Sequence, residues 1–419
     1  MGTPAIRPDV PRIPGPGPKG CPPGADQGQG ESADAAIQNF SLVLGGPAYD
    51  LLLRMGLLRF SLPNILRRIT VLVALTWLPL LLLSLRDGLA FGHQVRIPLL
   101  YDFATYGRLL LCLPLLVVAE IVIDPAIRLS VRQFVAAGIV QDDVLPKFDS
   151  VLTRIQKLRD SKIPEFLLLG LAFFPVFLFE HEWTAGAVSS WHTSAKGLTT
   201  AGWWYAFISA PLLRFLIFRW AFRYFVWSAL LRRISRLDLV LMPTHPDRAA
   251  GLNFLAVMQQ RFGILFCALG CTFAGRMANS LVFEGATIQS FQSLMIGFVV
   301  LSLIISLLPL ALLTPKLMMV RWKGLLEYGR LATAYTQDFD RKWVHRTTAA
   351  AEPLLGTSDI QSLADMGNSF GFVNAMMIAP ISKALVLQLA AQAALPLIPV
   401  IIIGTPAPEL IKAVIKMVT

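Results

Sequence analysis

Charged residues are scarce in this chain, with Asp, Glu, Lys and Arg supplying only 15% of its 419 positions. Soluble domains carry about 25%. Apolar side chains fill the gap, reaching 55% with a mean hydropathy of +0.61, which excludes an ordinary water-soluble globule. Cysteine is equally sparse. Cys21, Cys112, Cys267 and Cys271 are scattered, so they offer neither a disulfide framework nor a zinc or redox spacing. The sequence also lacks a short apolar core with a small-residue cleavage site at its N-terminus, an H-E-x-x-H motif and a phosphate loop. No internal repeat appears either, so nothing supports an inverted-repeat transporter.

Long apolar runs are what the sequence does have. They cover residues 63–85, 104–123, 163–179, 202–231, 257–282, 290–313 and 384–403. Each approaches the roughly 20 residues that cross a hydrocarbon layer about 30 Å thick, and soluble core helices are not apolar on every face for that length. The predicted fold is therefore all-α: a polytopic transmembrane helical bundle of six helices and a seventh, with amphipathic cytoplasmic helices. In the seventh run Pro396 and Pro399 leave a full span and a re-entrant helix both open.

The chain divides accordingly. Residues 1–36, rich in Pro and Gly, read as a disordered cytoplasmic tail, and 37–62 as an amphipathic pre-membrane segment. Residues 63–315 hold helices one to six, including a cytoplasmic segment at 124–162. Residues 316–383 form a second amphipathic cytoplasmic segment, and 384–419 the last transmembrane or re-entrant helix and the C-terminus.

A net charge of +11 would suit a nucleic-acid partner, but the positions of the basic residues explain it otherwise. Arg54 and Arg59 precede helix one and Arg67 and Arg68 lie at its start, and Arg128, Arg132, Lys147, Arg154, Lys157, Arg159 and Lys162 lie between helices two and three. Arg232, Arg233, Arg236 and Arg248 follow helix four, and another basic cluster follows helix six. Basic segments thus alternate with crossings, which places the N-terminus in the cytoplasm. The lipid bilayer is the expected partner, together with a small ion or solute and further copies of the chain; no nucleic acid is implied.

Ionisable residues inside membrane helices are costly and mark pathways or interhelical pairs. Helix two carries Glu120 and Asp124 on one face, and helix four carries Arg214, Arg219 and Arg223. Both helices run inward, so a Glu120 or Asp124 pair with Arg219 or Arg223 is expected, while Arg214 lies near mid-bilayer and needs a partner or water. Gln388 and Gln392 share a face of helix seven and complete the candidate conduction network. Gly263, Cys267, Gly270, Cys271 and Ala274 form a small-residue strip suited to close helix packing.

On the outer side, His181, Glu182 and His192 are candidate ligands for a divalent metal, the one cofactor the sequence suggests, although their spacing fits no established motif. No catalytic residues emerge. His245 and Asp247 sit in a proline-fixed turn without a nucleophile or phosphate loop beside them.

Gly202-Trp203-Trp204-Tyr205 at the start of helix four and the loop Pro243-Thr244-His245-Pro246-Asp247-Arg248 resemble those of bacterial multi-pass inner-membrane proteins. The resemblance extends over most of helices two to seven. It implies an inner-membrane setting and brings no activity or catalytic residue with it. Three functions are weighed on the residues: an ion channel or small-solute transporter with a charge-lined path, a membrane sensor or scaffold that binds a protein through its cytoplasmic helices, and an outward-facing metal-dependent enzyme.

Overall fold

A backbone surrounded by lipid has to satisfy its own hydrogen bonds, which an apolar segment does by becoming a helix. The computed structural model describes residues 37, 40–45, 62–178, 189–194, 197–345 and 357–405. Six of its helices are long and apolar enough to cross a membrane. In our numbering these are α1 (Leu62–Arg86), α2 (Phe103–Ala136), α5 (Thr200–Ile234), α6 (Phe254–Phe283), α7 (Ile288–Ala311) and α10 (Lys383–Gly404). Between them lie α3 (Leu145–Arg159), α4 (Lys162–Leu178), α8 (Thr314–Phe339) and α9 (Ser358–Asn374). A two-residue hairpin, β1 (Thr193–Ser194) with β2 (Gly197–Leu198), precedes α5. The chain is a multi-pass, all-helical membrane protein.

The bundle has two unlike ends. One, the basic end, carries α3, α8, α9 and the turns rich in Arg and Lys; the other, the loop end, carries the α1–α2 connection and the β hairpin. Lipid-facing positions stay apolar, as at Leu82, Phe166, Leu294, Ile304 and Leu387. The largest buried cluster joins α2, α3, α5 and α6 towards the basic end.

Two elements, α2 and α3, depart from the sequence reading. Apolarity ends at residue 123, yet α2 continues to Ala136 as one helix of 34 residues, because its charged side chains find partners within the bundle. The apolar face of α3 turns onto the bundle as well: Val144, Phe148 and Ile155 are buried, with Val151 packed against the same core. That face is closed to membrane and partner alike. The third predicted span is α4, whose 17 described residues reach about 25 Å. The last run forms α10, with Pro396 in a 3₁₀ turn at Leu395–Leu397 and Pro399 in the first turn of the helical segment that follows it. Residues 1–36, most of 37–62, His181 and Glu182 lie outside the described residues.

Close packing of α6 follows from its small-residue strip. A Cβ on Gly107 would strike the carbonyl of Cys271, one on Gly275 the carbonyl of Phe103, and one on Gly263 the side chain of Gln392. Backbone therefore meets backbone where α2 crosses α6. At that crossing α2 widens into a π-helical stretch, Tyr106–Cys112, and α5 has its own at Tyr205–Ser209. Such bulges re-aim side chains and gather at functional sites.

Candidate functional site

The charges carried by α2 and α5 gather in two places, one in each half of the bundle. Towards the basic end, Glu120 is buried between two arginines, with Arg68 Nη1 at 2.7 Å from Oε2 and Arg223 Nη1 at 2.9 Å from Oε1. Arg219 lies 3.5 Å from Glu165 on α4. The Arg223 guanidinium also covers the Trp220 ring at 5.0 Å, and Trp220 donates to the Leu116 carbonyl. Burial on this scale is tolerable only because each carboxylate oxygen of Glu120 has a cation against it.

One helical turn further on, Asp124 receives a stretch of chain from before α1. Its Oδ1 accepts from Ser41 Oγ at 2.6 Å, Leu42 N at 3.0 Å and Val43 N at 3.2 Å, while Oδ2 accepts from Arg128 Nε at 2.7 Å. Arg223 Nη2 donates to the Val43 carbonyl at 3.2 Å and Arg159 to the Ser41 carbonyl. Residues 41–43 thus lie as a strap across the charge cluster, held through backbone groups as much as side chains.

The loop-end half is open. A cavity of about 880 Å³ descends between α2, α5 and α6. Arg96, Asp102, His192 and Glu284 stand near its mouth, and Leu213, Arg214 and Ile217 lie deeper along α5. The two π-helical stretches meet on its wall, where Arg108 Nη1 donates to Tyr205 Oη at 2.7 Å. Arg214 Nη1 donates to the Ala172 carbonyl of α4 at 3.3 Å. Among the described residues neither Arg108 nor Arg214 has an ion-pair partner, whereas Arg276 pairs with Glu284 at 2.6 Å.

Asp102 organises the mouth. It caps α2 by accepting from Ala104 N and Thr105 N, and also accepts from Thr105 Oγ1, Trp191 Nε1 at 2.8 Å and Asn279 Nδ2 at 2.7 Å. Burial pushes this carboxyl up, but those hydrogen bonds prevail and hold it below the usual range. His192 lies beside Ser190 Oγ at 3.1 Å, and burial lowers its pKa. Its wall position is known, while His181 and Glu182 lie outside the described residues; among the described residues no three His, Cys, Asp or Glu side chains form a metal-sized group.

The remaining candidates stand apart from both clusters. Gln388 is exposed on α10, and Gln392 packs against Gly263 with its Oε1 buried. In the basic-end turn His245 and Asp247 are 2.8 Å apart, but the Asp247 oxygens accept from Ala249 N, Gly251 N and Asn253 N. That network holds Arg248 and Ala250 at φ of 57° and 54°, a left-handed conformation that non-glycine residues adopt only where surroundings impose it. The turn is a structural clasp.

Of the pairings expected between Glu120 or Asp124 and Arg219 or Arg223, Glu120–Arg223 is present, whereas Arg219 pairs with Glu165 and Asp124 with Arg128; Arg214 lines the cavity. Arg108 and Glu165 escape the sequence reading although both lie inside predicted helices, where the search for ionisable residues applies to them equally. Asp102, Arg96 and Glu284 fall in connections, where charge is ordinary, and their convergence is purely tertiary. The arrangement supplies guanidinium donors around an open cavity and, at the other end, a closed cluster under a strap. No family model matches the chain, and no curated protein or solved structure is significantly similar to it.

Proposed function

We propose that the protein is an ion channel or small-solute transporter whose cargo enters through the loop-end cavity. The observation that supports this is the cavity itself, about 880 Å³ in volume and lined down to Arg214, a residue about 21 Å along α5 from Thr200. An ionisable side chain at that depth belongs beside a partner or a water-filled path. The basic end faces the cytoplasm of a bacterial inner membrane in this reading, so the cavity opens outward. The paired charges and the strap at residues 41–43 then close the path from the inside.

Flux through liposomes containing the purified full-length protein tests the proposal. Solute or ion flux is expected, with Arg214→Ala changing its rate or selectivity several-fold. Absence of flux at any salt, pH or voltage would sink the transport reading and favour a membrane sensor or scaffold. One observation supports that second reading: the α8–α9 hairpin at the basic end exposes Met318, Met319, Trp322, Leu326 and Leu331, a surface on which a protein partner would sit.

A further inference from the structure

We propose that the loop-end cavity binds an organic anion, its carboxylate or phosphate held between Arg108 and Arg214; this names the substrate class for the transport reading above. The lining carries four guanidinium groups, those of Arg96, Arg108, Arg214 and Arg276, against the carboxylates of Asp102 and Glu284. Both carboxylates are already engaged. Glu284 pairs with Arg276, and Asp102 accepts hydrogen bonds at each oxygen from Thr105, Trp191 and Asn279.

Among the described residues Arg108 and Arg214 are left with one hydrogen bond each, to a phenol and to a carbonyl, both neutral. A guanidinium has five N–H donors in a planar fork, so most of their capacity is unspent. Both side chains line the same cavity. Two like charges in a low-dielectric setting call for a counter-charge, and bidentate arginine contacts favour carboxylate and phosphate.

Size and lining argue for more than an inorganic ion. A water molecule's share of liquid volume is about 30 Å³, far below the 880 Å³ available, and pockets for small organic ligands run from about 300 to 1,000 Å³. Leu109, Leu213 and Ile217 give the wall an apolar side on which a carbon skeleton can lie. The same head-group chemistry is found in a free solute and in an anionic lipid, and the experiment separates the two.

Full-length protein in phosphatidylcholine nanodiscs is titrated calorimetrically with succinate, glycerol phosphate, sodium chloride and choline. Succinate or glycerol phosphate is expected to bind, choline not. Arg108→Gln and Arg214→Gln should each weaken that binding about tenfold or more, with exposed Arg341→Gln as an unchanged control. Tyr205→Phe, which frees Arg108 while leaving the cavity charge intact, should retain binding even if an arginine variant fails to fold. If phosphatidylglycerol in the disc abolishes soluble-anion binding, and native mass spectrometry finds it on the parent but not on Arg108→Gln, the anion is a lipid head group.

The proposal is overturned if neither soluble anions nor phosphatidylglycerol bind in preference to choline, or if both arginine variants bind like the parent. Anion binding without flux would keep this site and remove the transport reading. Flux of other solutes that ignores Arg108→Gln, with no anion bound, would do the reverse.

Discussion

Glu120 accepts from two guanidinium groups at once, and its position shows how a buried charge is made affordable. Both oxygens are engaged, by Arg68 from α1 and Arg223 from α5, so three helices meet at one carboxylate. Removing the negative charge while keeping the shape, as in Glu120→Gln, leaves two buried cations without compensation. Breaking a buried ion pair in this way costs about 3–5 kcal/mol. We expect that loss in unfolding titrations with dodecyl sulfate in mixed micelles, relative to the parent. A cost below about 1 kcal/mol, the range of exposed pairs, would mean that water reaches the cluster and that α1, α2 and α5 are joined by apolar packing alone. At this scale the sequence is informative, because an ionisable residue in an apolar run stands out. Arg108 and Glu165 meet that criterion and are still missed, while Arg68 lies among basic residues at a helix start, where it reads as a topological charge, and only the fold turns it inward.

At the level of elements, the crossing of α2 and α6 rests on glycines that leave no space for a side chain. Gly107 lies in the π-helical stretch one residue before Arg108, with the Cys271 carbonyl where its Cβ would be. Gly107→Val therefore has to push two backbones apart. Overpacking costs about 1–3 kcal/mol, sometimes more, and the displaced stretch carries Arg108 away from Tyr205. The expected result is a lower unfolding midpoint together with weakened anion binding. A variant with parental stability and binding would show that α2 and α6 can separate freely. The small-residue strip of α6 is legible from its spacing, whereas the π-helical stretches are not, since they arise from how α2 and α5 meet their neighbours. For the same reason hydropathy locates the start of α2 but ends it about three turns early: apolarity reports contact with lipid, and beyond Asp124 the helix is held by Arg128 and by the strap at residues 41–43.

Across the whole molecule, polarity is distributed unequally. Loop-end charges surround a cavity, whereas the buried charges of the basic end are paired or lie under the strap. The spans and the alternation of basic segments can be read from the chain, because each depends on local composition. The cavity cannot, since its wall draws on segments from Arg96 to Glu284 that only the assembled bundle brings together. Its outward direction in the membrane is part of the proposal that the basic end faces the cytoplasm, and cysteine labelling tests that directly. In a background with Cys21, Cys112, Cys267 and Cys271 replaced by alanine, Ser194→Cys reports on the β hairpin near the cavity mouth and Lys323→Cys on exposed α8. A membrane-impermeant maleimide applied to intact cells should modify Ser194→Cys and reach Lys323→Cys only after the membrane is opened. The opposite pattern would turn the cavity towards the cytoplasm. The anion would then be drawn from inside the cell, and the strap at residues 41–43 would close an exit instead of an entrance.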